Sequence, residues 1–309
     1  MEMEIKTIGV VGAGQMGSGI ALVAARNGFQ VVMQDIKEDL VQRGMNAINR
    51  LLDKDISKDI TDAPAKAAIM QRIQSGVDLN ALQRADFIIE AATEKEIVKF
   101  QIFRDLDRIC APEAVFSSNT SSIPIGRISA QTRRPDRVIG MHFMNPAPLI
   151  KLVEVIRSLA TSEETFQTTC TLAEQLGKKA VEARDFPGFI SNRILMTMIN
   201  EAVFTLYQGV GSRDAIDAVM HLGMNHPMGP LALADLIGLD TCLAVMETLY
   251  DGYKESKYSP CPLLRQYVDA GWLGRKSGRG FYCYEQAHST HSHANSQRHP
   301  NSSSSAPPD

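Results

Sequence analysis

A chain of 309 residues, 44% hydrophobic and 22% charged, is long enough for about two domains, and its composition excludes collagen, coiled-coil and wholly disordered classes. Its 32 basic and 35 acidic residues are well mixed and leave a formal net charge of −3, which offers no electrostatic footprint for nucleic acid. Five cysteines (Cys110, Cys170, Cys242, Cys261 and Cys283) are scattered and never spaced as C-x-x-C, so neither a disulfide framework nor a zinc site is expected.

No apolar run approaches the ~18 to 20 residues that a membrane-spanning helix needs. Met1 to Lys6 has neither the signal-peptide nor the transit-peptide pattern, so a cytoplasmic protein without membrane association is expected.

In chain order, β-branched apolar runs predict strands at Lys6 to Val11, Gln30 to Gln34, Asp86 to Ala91, Ala114 to Ser117, Arg137 to Met141, Lys151 to Ile156 and Lys179 to Ala183. Helical segments alternate with them, the pattern of a mostly parallel sheet covered by helices on both faces, an α/β class. The stretch between Asp35 and Asp86 exceeds what one crossover helix requires, so a helical arm is expected at about residues 40–80. After Asp185 the strand signal stops. Ile194, Leu195, Met198, Ile199, Ala202, Val203 and Leu206 recur at helical spacing, and further helices are predicted at Arg213 to His221, Leu231 to Leu249 and Pro262 to Ala270.

These features divide the chain at Asp185-Phe186-Pro187-Gly188 into a sheet domain, residues 1–185, and an all-helical domain, residues 186–285. Residues 286–309 are too polar and repetitive to build a core and are expected to be a disordered tail. His288, His291, His293 and His299 sit there with nothing to fix a metal geometry.

The first strand runs into Gly12-Ala13-Gly14-Gln15-Met16-Gly17, which opens an Ala-rich helix. Gly12 allows the tight turn, Gly14 lets a pyrophosphate approach the backbone, and Gly17 permits close helix–strand packing. The helix that Gln15, Met16 and Gly17 begin offers unpaired N–H groups to the phosphates. Asp35 follows Gly17 by 18 residues at the end of the second strand, where a carboxylate accepts from ribose hydroxyls and repels a 2′-phosphate. NAD is therefore expected rather than NADP. A purely structural glycine turn and an Asp that merely ends a strand are the alternatives, and FAD uses a similar cradle.

Ligands of open parallel sheets bind beyond the carboxyl ends of the strands, so the polar residues there form the natural census. Glu90 to Glu94, Ser118-Asn119-Thr120-Ser121 and His142 all fall at such positions. Removing a hydroxyl proton while hydride leaves the same carbon calls for a base that titrates near neutrality, and His142 is the histidine so placed. Glu154, twelve residues later among Leu152, Val153, Val155 and Ile156, needs a partner to be buried there, and a histidine ring nitrogen would be one. Ser121 and Asn192 are candidate donors to the substrate oxygen, with turn residue and helix-start residue as their alternative readings.

The strings GVVGAGQMGSGIA, SSNTSSIPI, GMHFMNPAPLIKLVEVI, DFPGFISNRILMTMINEA, HPMGPLALADLIGLD and LGRKSGRGFYCY, between about Lys6 and Tyr284, resemble the 3-hydroxyacyl-CoA dehydrogenase family. The resemblance implies a Rossmann-type NAD-binding domain, with His142 as base, Glu154 as its partner, and Ser121 and Asn192 on the substrate oxygen. It also implies NAD contacts at Gly12, Gly14, Gln15, Met16, Gly17, Asp35, Glu94, Lys99, Asn119, Ser121, Asn145 and Lys276. The arm would contact coenzyme A, with Ser57, Lys58 and Lys66 as suited to its phosphates, and the helical domain would pair two copies into a homodimer. The expected activity is reversible NAD-dependent oxidation of a short-chain (S)-3-hydroxyacyl-CoA, such as 3-hydroxybutyryl-CoA, to the 3-oxoacyl-CoA. Alternatives on the same scaffold are a dehydrogenase of small free hydroxyacids, gulonate among them, and a crystallin-like structural protein.

Overall fold

The computed structural model describes residues 4–284. The tail expectation and its four histidines lie outside the described residues.

The chain begins with β1 (Thr7–Val11), α1 (Gln15–Arg26) and β2 (Gln30–Gln34), and continues into the arm helices α2 (Glu38–Ile56) and α3 (Ala63–Gln71). The arm returns to the sheet as β3 (Ile73–Gly76), followed by β4 (Phe87–Glu90), α4 (Glu96–Ile109), β5 (Val115–Ser118), α5 (Ile125–Ser129), β6 (Val138–Phe143), β7 (Leu152–Arg157), α6 (Glu163–Gln175) and β8 (Lys179–Arg184). The strands form one eight-stranded sheet in the order β3-β2-β1-β4-β5-β6-β7-β8. Neighbours are parallel except β6 and β7, which run antiparallel.

The central strands read as continuous apolar runs because both faces are covered. On one face Ile20 and Leu22 of α1, Ile48 and Leu52 of α2, and Leu172 of α6 are fully buried against Ile8, Val10 and Met33. On the other, Phe103 and Leu106 of α4 and Ile128 of α5 pack on Ile88, Phe116 and Val138. Burial of side chains of this size contributes about 1.5 to 3 kcal/mol each relative to exposure, so both faces hold the sheet between helices and leave its strand ends free for ligands.

Beyond Asp185 follow α7 (Ser191–Tyr207), α8 (Arg213–Ala218), α9 (Pro230–Ile237), α10 (Leu239–Tyr253) and α11 (Pro262–Asp269). Val203, Leu239, Cys242, Leu249 and Leu264 form a separate core there. Three expectations need correction. The run Leu231 to Leu249 is two helices, because Gly238 at φ +105° breaks it. The helix expected at Arg213 to His221 is α-helical only to Ala218 and continues as a π turn, Val219–Gly223. The strand β3 went unforeseen, since Ile73 is its one large apolar residue. Among the described residues, no helix is long and apolar enough to cross a membrane.

Candidate active site

The glycine loop is shaped by contacts that side chains would break. Gly12 holds φ +101°, and a Cβ there would lie 2.6 Å from the Ala92 backbone; one on Gly17 would lie 1.8 Å from Gly12 O. A Cβ on Gly14 would meet nothing within 4 Å, so the backbone at the start of α1 faces open space. That helix has no side-chain cap and no acid in its first turn. Its free N–H groups and partial positive charge suit a pyrophosphate.

Asp35 closes the far side of the loop. Its Oδ2 accepts from Ala13 N at 2.7 Å and its Oδ1 from Ile36 N at 2.7 Å, which fixes the carboxylate just past the strand end. The open cradle followed by a fixed acid fits NAD. No cationic side chain pairs with Asp35 among the described residues, so nothing offsets its charge against a 2′-phosphate.

At the end of β4, Lys99 Nζ reaches Glu90 Oε1 and Oε2 at 2.8 and 2.6 Å, and both side chains are buried. Ser118 Oγ donates to Glu90 Oε2 at 2.7 Å. Lys99 also lies 3.5 Å from Glu94. Glu94 Oε1 accepts from Thr120 Oγ1, Ser121 N, Ser121 Oγ and Ser122 Oγ, so it anchors the whole loop that follows β5. Desolvation pushes the Glu94 carboxyl up, but Lys99 and these donors outweigh it and hold it below the usual carboxylate range.

His142 and Glu154 are direct register partners on β6 and β7. His142 Nδ1 lies 2.8 Å from Glu154 Oε2, and both side chains are buried. Glu154 also takes donors from the helical domain: Ile190 N at 3.1 Å and Ser191 N at 2.9 Å on Oε1, and Ser191 Oγ at 2.8 Å on Oε2. Burial pushes this carboxyl up, yet the bonds from His142 and Ser191 win and hold it below the usual range. An ionised carboxylate only accepts, so Nδ1 carries the hydrogen, and in the neutral ring Nε2 keeps its lone pair. The ring packs against Phe189 with centroids 5.9 Å apart.

Three further bonds draw the remaining groups in. Asn192 Nδ2 donates to Ser121 O at 3.3 Å across the domain junction, and Asn119 Oδ1 accepts from Phe143 N at 2.8 Å, next to the histidine. Gln15 Nε2 donates to Asn145 Oδ1 at 3.0 Å, linking the glycine loop to the segment after β6. One chain of contacts therefore connects Glu90, Lys99, Glu94, Ser121, Asn192 and, through the first turn of α7, Glu154 and His142.

With a buried histidine–carboxylate pair, an open glycine cradle and the Ser121–Asn192 contact in place, sequence comparison decides the family. A family model described as "3-hydroxyacyl-CoA dehydrogenase, NAD binding domain" matches residues 7–186, and one described as "3-hydroxyacyl-CoA dehydrogenase, C-terminal domain" matches residues 188–284. The chain belongs to the 3-hydroxyacyl-CoA dehydrogenase family. A probable 3-hydroxybutyryl-CoA dehydrogenase of Bacillus subtilis is 57% identical over 92% of this chain and 99% of its own length. A 3-hydroxybutyryl-CoA dehydrogenase of Bradyrhizobium diazoefficiens is 53% identical over 93% and 98%. The crystal structure of (S)-3-hydroxybutyryl-CoA dehydrogenase from Ralstonia eutropha matches with TM-score 0.90 at 48% identity, covering 92% of this chain and all (100%) of that one. Like its family, this dehydrogenase is an NAD-dependent oxidoreductase acting on 3-hydroxyacyl-CoA.

Some of the expected residues have surroundings that the sequence did not declare. His142 falls inside β6, which runs to Phe143, rather than just past a strand. Lys276 Nζ pairs with Asp240 in the helical domain. A cleft of about 690 Å³ runs from Gly14 and Gln15 between α2 and Asn145, and its basic wall is Arg43, Arg50 and Lys54. Ser57, Lys58 and Lys66 do not line it: Ser57 Oγ turns back to Lys54 O, and Lys66 pairs with Asp53. The readable signal was the spacing, since positions 43, 50 and 54 fall on one side of a helix. Glu90 was counted among the strand-end residues but not read as the partner of Lys99, and Ser191 was missed. An acid ending the apolar run Phe87-Ile88-Ile89, nine residues before Lys99, points to the first, but nothing in the sequence singles out the second.

Proposed function

We propose that this dehydrogenase oxidises a short-chain (S)-3-hydroxyacyl-CoA, 3-hydroxybutyryl-CoA first among them, with His142 as the catalytic base. The observation that carries this reading is the His142–Glu154 pair, with its bond of 2.8 Å and a free Nε2, on the same sheet edge as the glycine loop. The relatives named for 3-hydroxybutyryl-CoA support the chain length.

In the oxidative direction His142 Nε2 takes the C3 hydroxyl proton, and Glu154 stabilises the imidazolium that forms. Ser121 and Asn192 hold the substrate oxygen. Bound NAD supplies the hydride acceptor. Asp35 and the first turn of α1 hold its ribose and pyrophosphate, and Lys99 and Glu94 shape the wall beside Ser121. Arg43, Arg50 and Lys54 take the CoA phosphates, a cationic wall that a small free hydroxyacid would not need and that favours a thioester substrate.

The helical domain leaves an apolar groove of about 490 Å³ lined by Met198, Ala202, Val210, Ile216, Val219 and Met220. Val210, Val219 and Leu222 stay exposed beside it. A second copy covering this face gives the homodimer, readable by light scattering coupled to size exclusion. The cytoplasm is the compartment that suits reduced cysteines and a soluble cofactor pool.

Loss of NADH absorbance with acetoacetyl-CoA, and none with free acetoacetate, is the expected assay result. Turnover of the free acid alone would remove the thioester reading. Dinucleotide binding with no turnover on either compound would leave a structural protein.

A further inference from the structure

The hydrogen bonds around Glu154 are shared unequally between the two domains. Oε1 is fully engaged by two backbone N–H groups at the start of α7, Ile190 N at 3.1 Å and Ser191 N at 2.9 Å. Oε2 is contested. It faces His142 Nδ1 at 2.8 Å and at the same time accepts from Ser191 Oγ at 2.8 Å. Both are single-oxygen contacts of equal length, so whatever electron density Ser191 draws from Oε2 is withheld from the imidazole. The backbone bonds cannot be altered by a side chain, whereas the hydroxyl can.

We propose that Ser191 is a positioning residue: its hydroxyl competes with His142 for Glu154 Oε2 and so weakens the hold that the acid has on the base. This rests on the assignment of His142 as the base. A carboxylate that pulls harder on Nδ1–H makes the imidazolium easier to form and harder to discharge, so the serine keeps the base free to work at lower pH.

The surroundings leave few other candidates for this tuning. Among the described residues, His142 is the titratable group bonded to Glu154, and every other donor on that carboxylate is uncharged and comes from the first turn of α7. On the β8 side the register partner of Glu154 is Val181, which carries no charge. The far side of the imidazole meets the Phe189 ring, and its ionic contact is with Glu154.

The test compares the wild type with S191A and S191T across pH, and follows the low-field His142 Nδ1–H proton by NMR, assigned by its loss in H142Q. In S191A the acidic limb of kcat/KM for oxidation of 3-hydroxybutyryl-CoA by NAD should move to higher pH by about half a unit to one unit, a three- to tenfold loss on that limb, with the alkaline plateau held within about twofold. The Nδ1–H signal should move downfield as the His142–Glu154 bond tightens. S191T keeps the hydroxyl and should restore both. A uniform fall in kcat with the limb and the proton signal unmoved means that Ser191 only packs, and overturns the proposal. A moved proton signal with an unmoved limb upholds the competition at Glu154 and instead removes His142 from the role of base, so the two readings fail separately.

Discussion

Asn192 Nδ2 donates to Ser121 O at 3.3 Å, a bond between the first turn of the helical domain and the loop that follows β5 in the sheet domain. Because Glu94 grips the same loop through the amide and hydroxyl of Ser121, two groups proposed to bind the substrate oxygen are fixed relative to each other before substrate arrives. Replacing Asn192 by Ala should therefore lower kcat more than it raises KM for the acyl-CoA, by about 10- to 100-fold. Steady-state kinetics at saturating NADH reads this, and a pure KM effect would contradict it.

His142→Gln keeps a side-chain amide that can face Glu154 but removes the proposed base. Turnover should fall by about 10² to 10⁴, with NADH binding and thermal midpoint close to wild type. Fluorescence titration with NADH, alongside the kinetic assay, separates a lost base from a lost fold.

Glu154→Gln acts on two properties. Loss of the charge that steadies the imidazolium should lower kcat by about 10² or more. Stability should also change its pH dependence. The Glu154 carboxyl is held below its ordinary range, so the stabilisation it adds is fully present above the unfolded carboxylate value and lost as pH falls through its lower folded value. The fall in thermal midpoint on acidification should accordingly be shallower in the variant than in the wild type through that window. Equal slopes would count against an ionised, bonded carboxylate.

The second and third glycines of the loop should respond differently to one added methyl. Gly17→Ala places a Cβ 1.8 Å from Gly12 O and should shift α1 or destabilise the sheet domain, visible as a lowered thermal midpoint. Gly14→Ala meets nothing within 4 Å and should fold normally while losing about tenfold or more in NADH affinity, because the methyl occupies the approach path of the pyrophosphate. Normal NADH binding by Gly14→Ala would move the cofactor away from this loop.

Lys54→Ala and Arg50→Ala should each raise KM for acetoacetyl-CoA by about 10-fold, leave the NADH KM alone, and lose much of their effect at high salt. Lys58→Ala and Lys66→Ala serve as controls. A larger effect from the controls would return the phosphate contact to the outer part of the arm.

Most of the sheet was legible because its strands are buried on both sides and so declare themselves as runs such as Val10-Val11 and Phe87-Ile88-Ile89. The edge strand β3 was not, because Ile73-Gln74-Ser75-Gly76 owes its conformation to pairing with β2, a long-range partner that no local pattern records. Position in the topology also exposed residues proposed for chemistry: Asp35, Ser121 and His142 lie at or near strand ends, while Glu154 stands out as an acid inside the apolar strand β7. What stayed hidden depends on three-dimensional neighbours. Ser191 reads as an ordinary helix-start serine until its hydroxyl is found on Glu154, 37 residues away. Lys66 reads as a free cation until Asp53 is found 2.6 Å from it.

The carboxylate of Glu154 is seated by amides that the other domain contributes. Cut away the helical half and the imidazole keeps its acid, but the acid loses three of its four donors and with them its fixed orientation. With the proposed roles of this pair, the smallest fragment of this chain able to turn over substrate is larger than the smallest able to grip a dinucleotide, and any attempt at miniaturising the enzyme meets its limit at the junction between its halves.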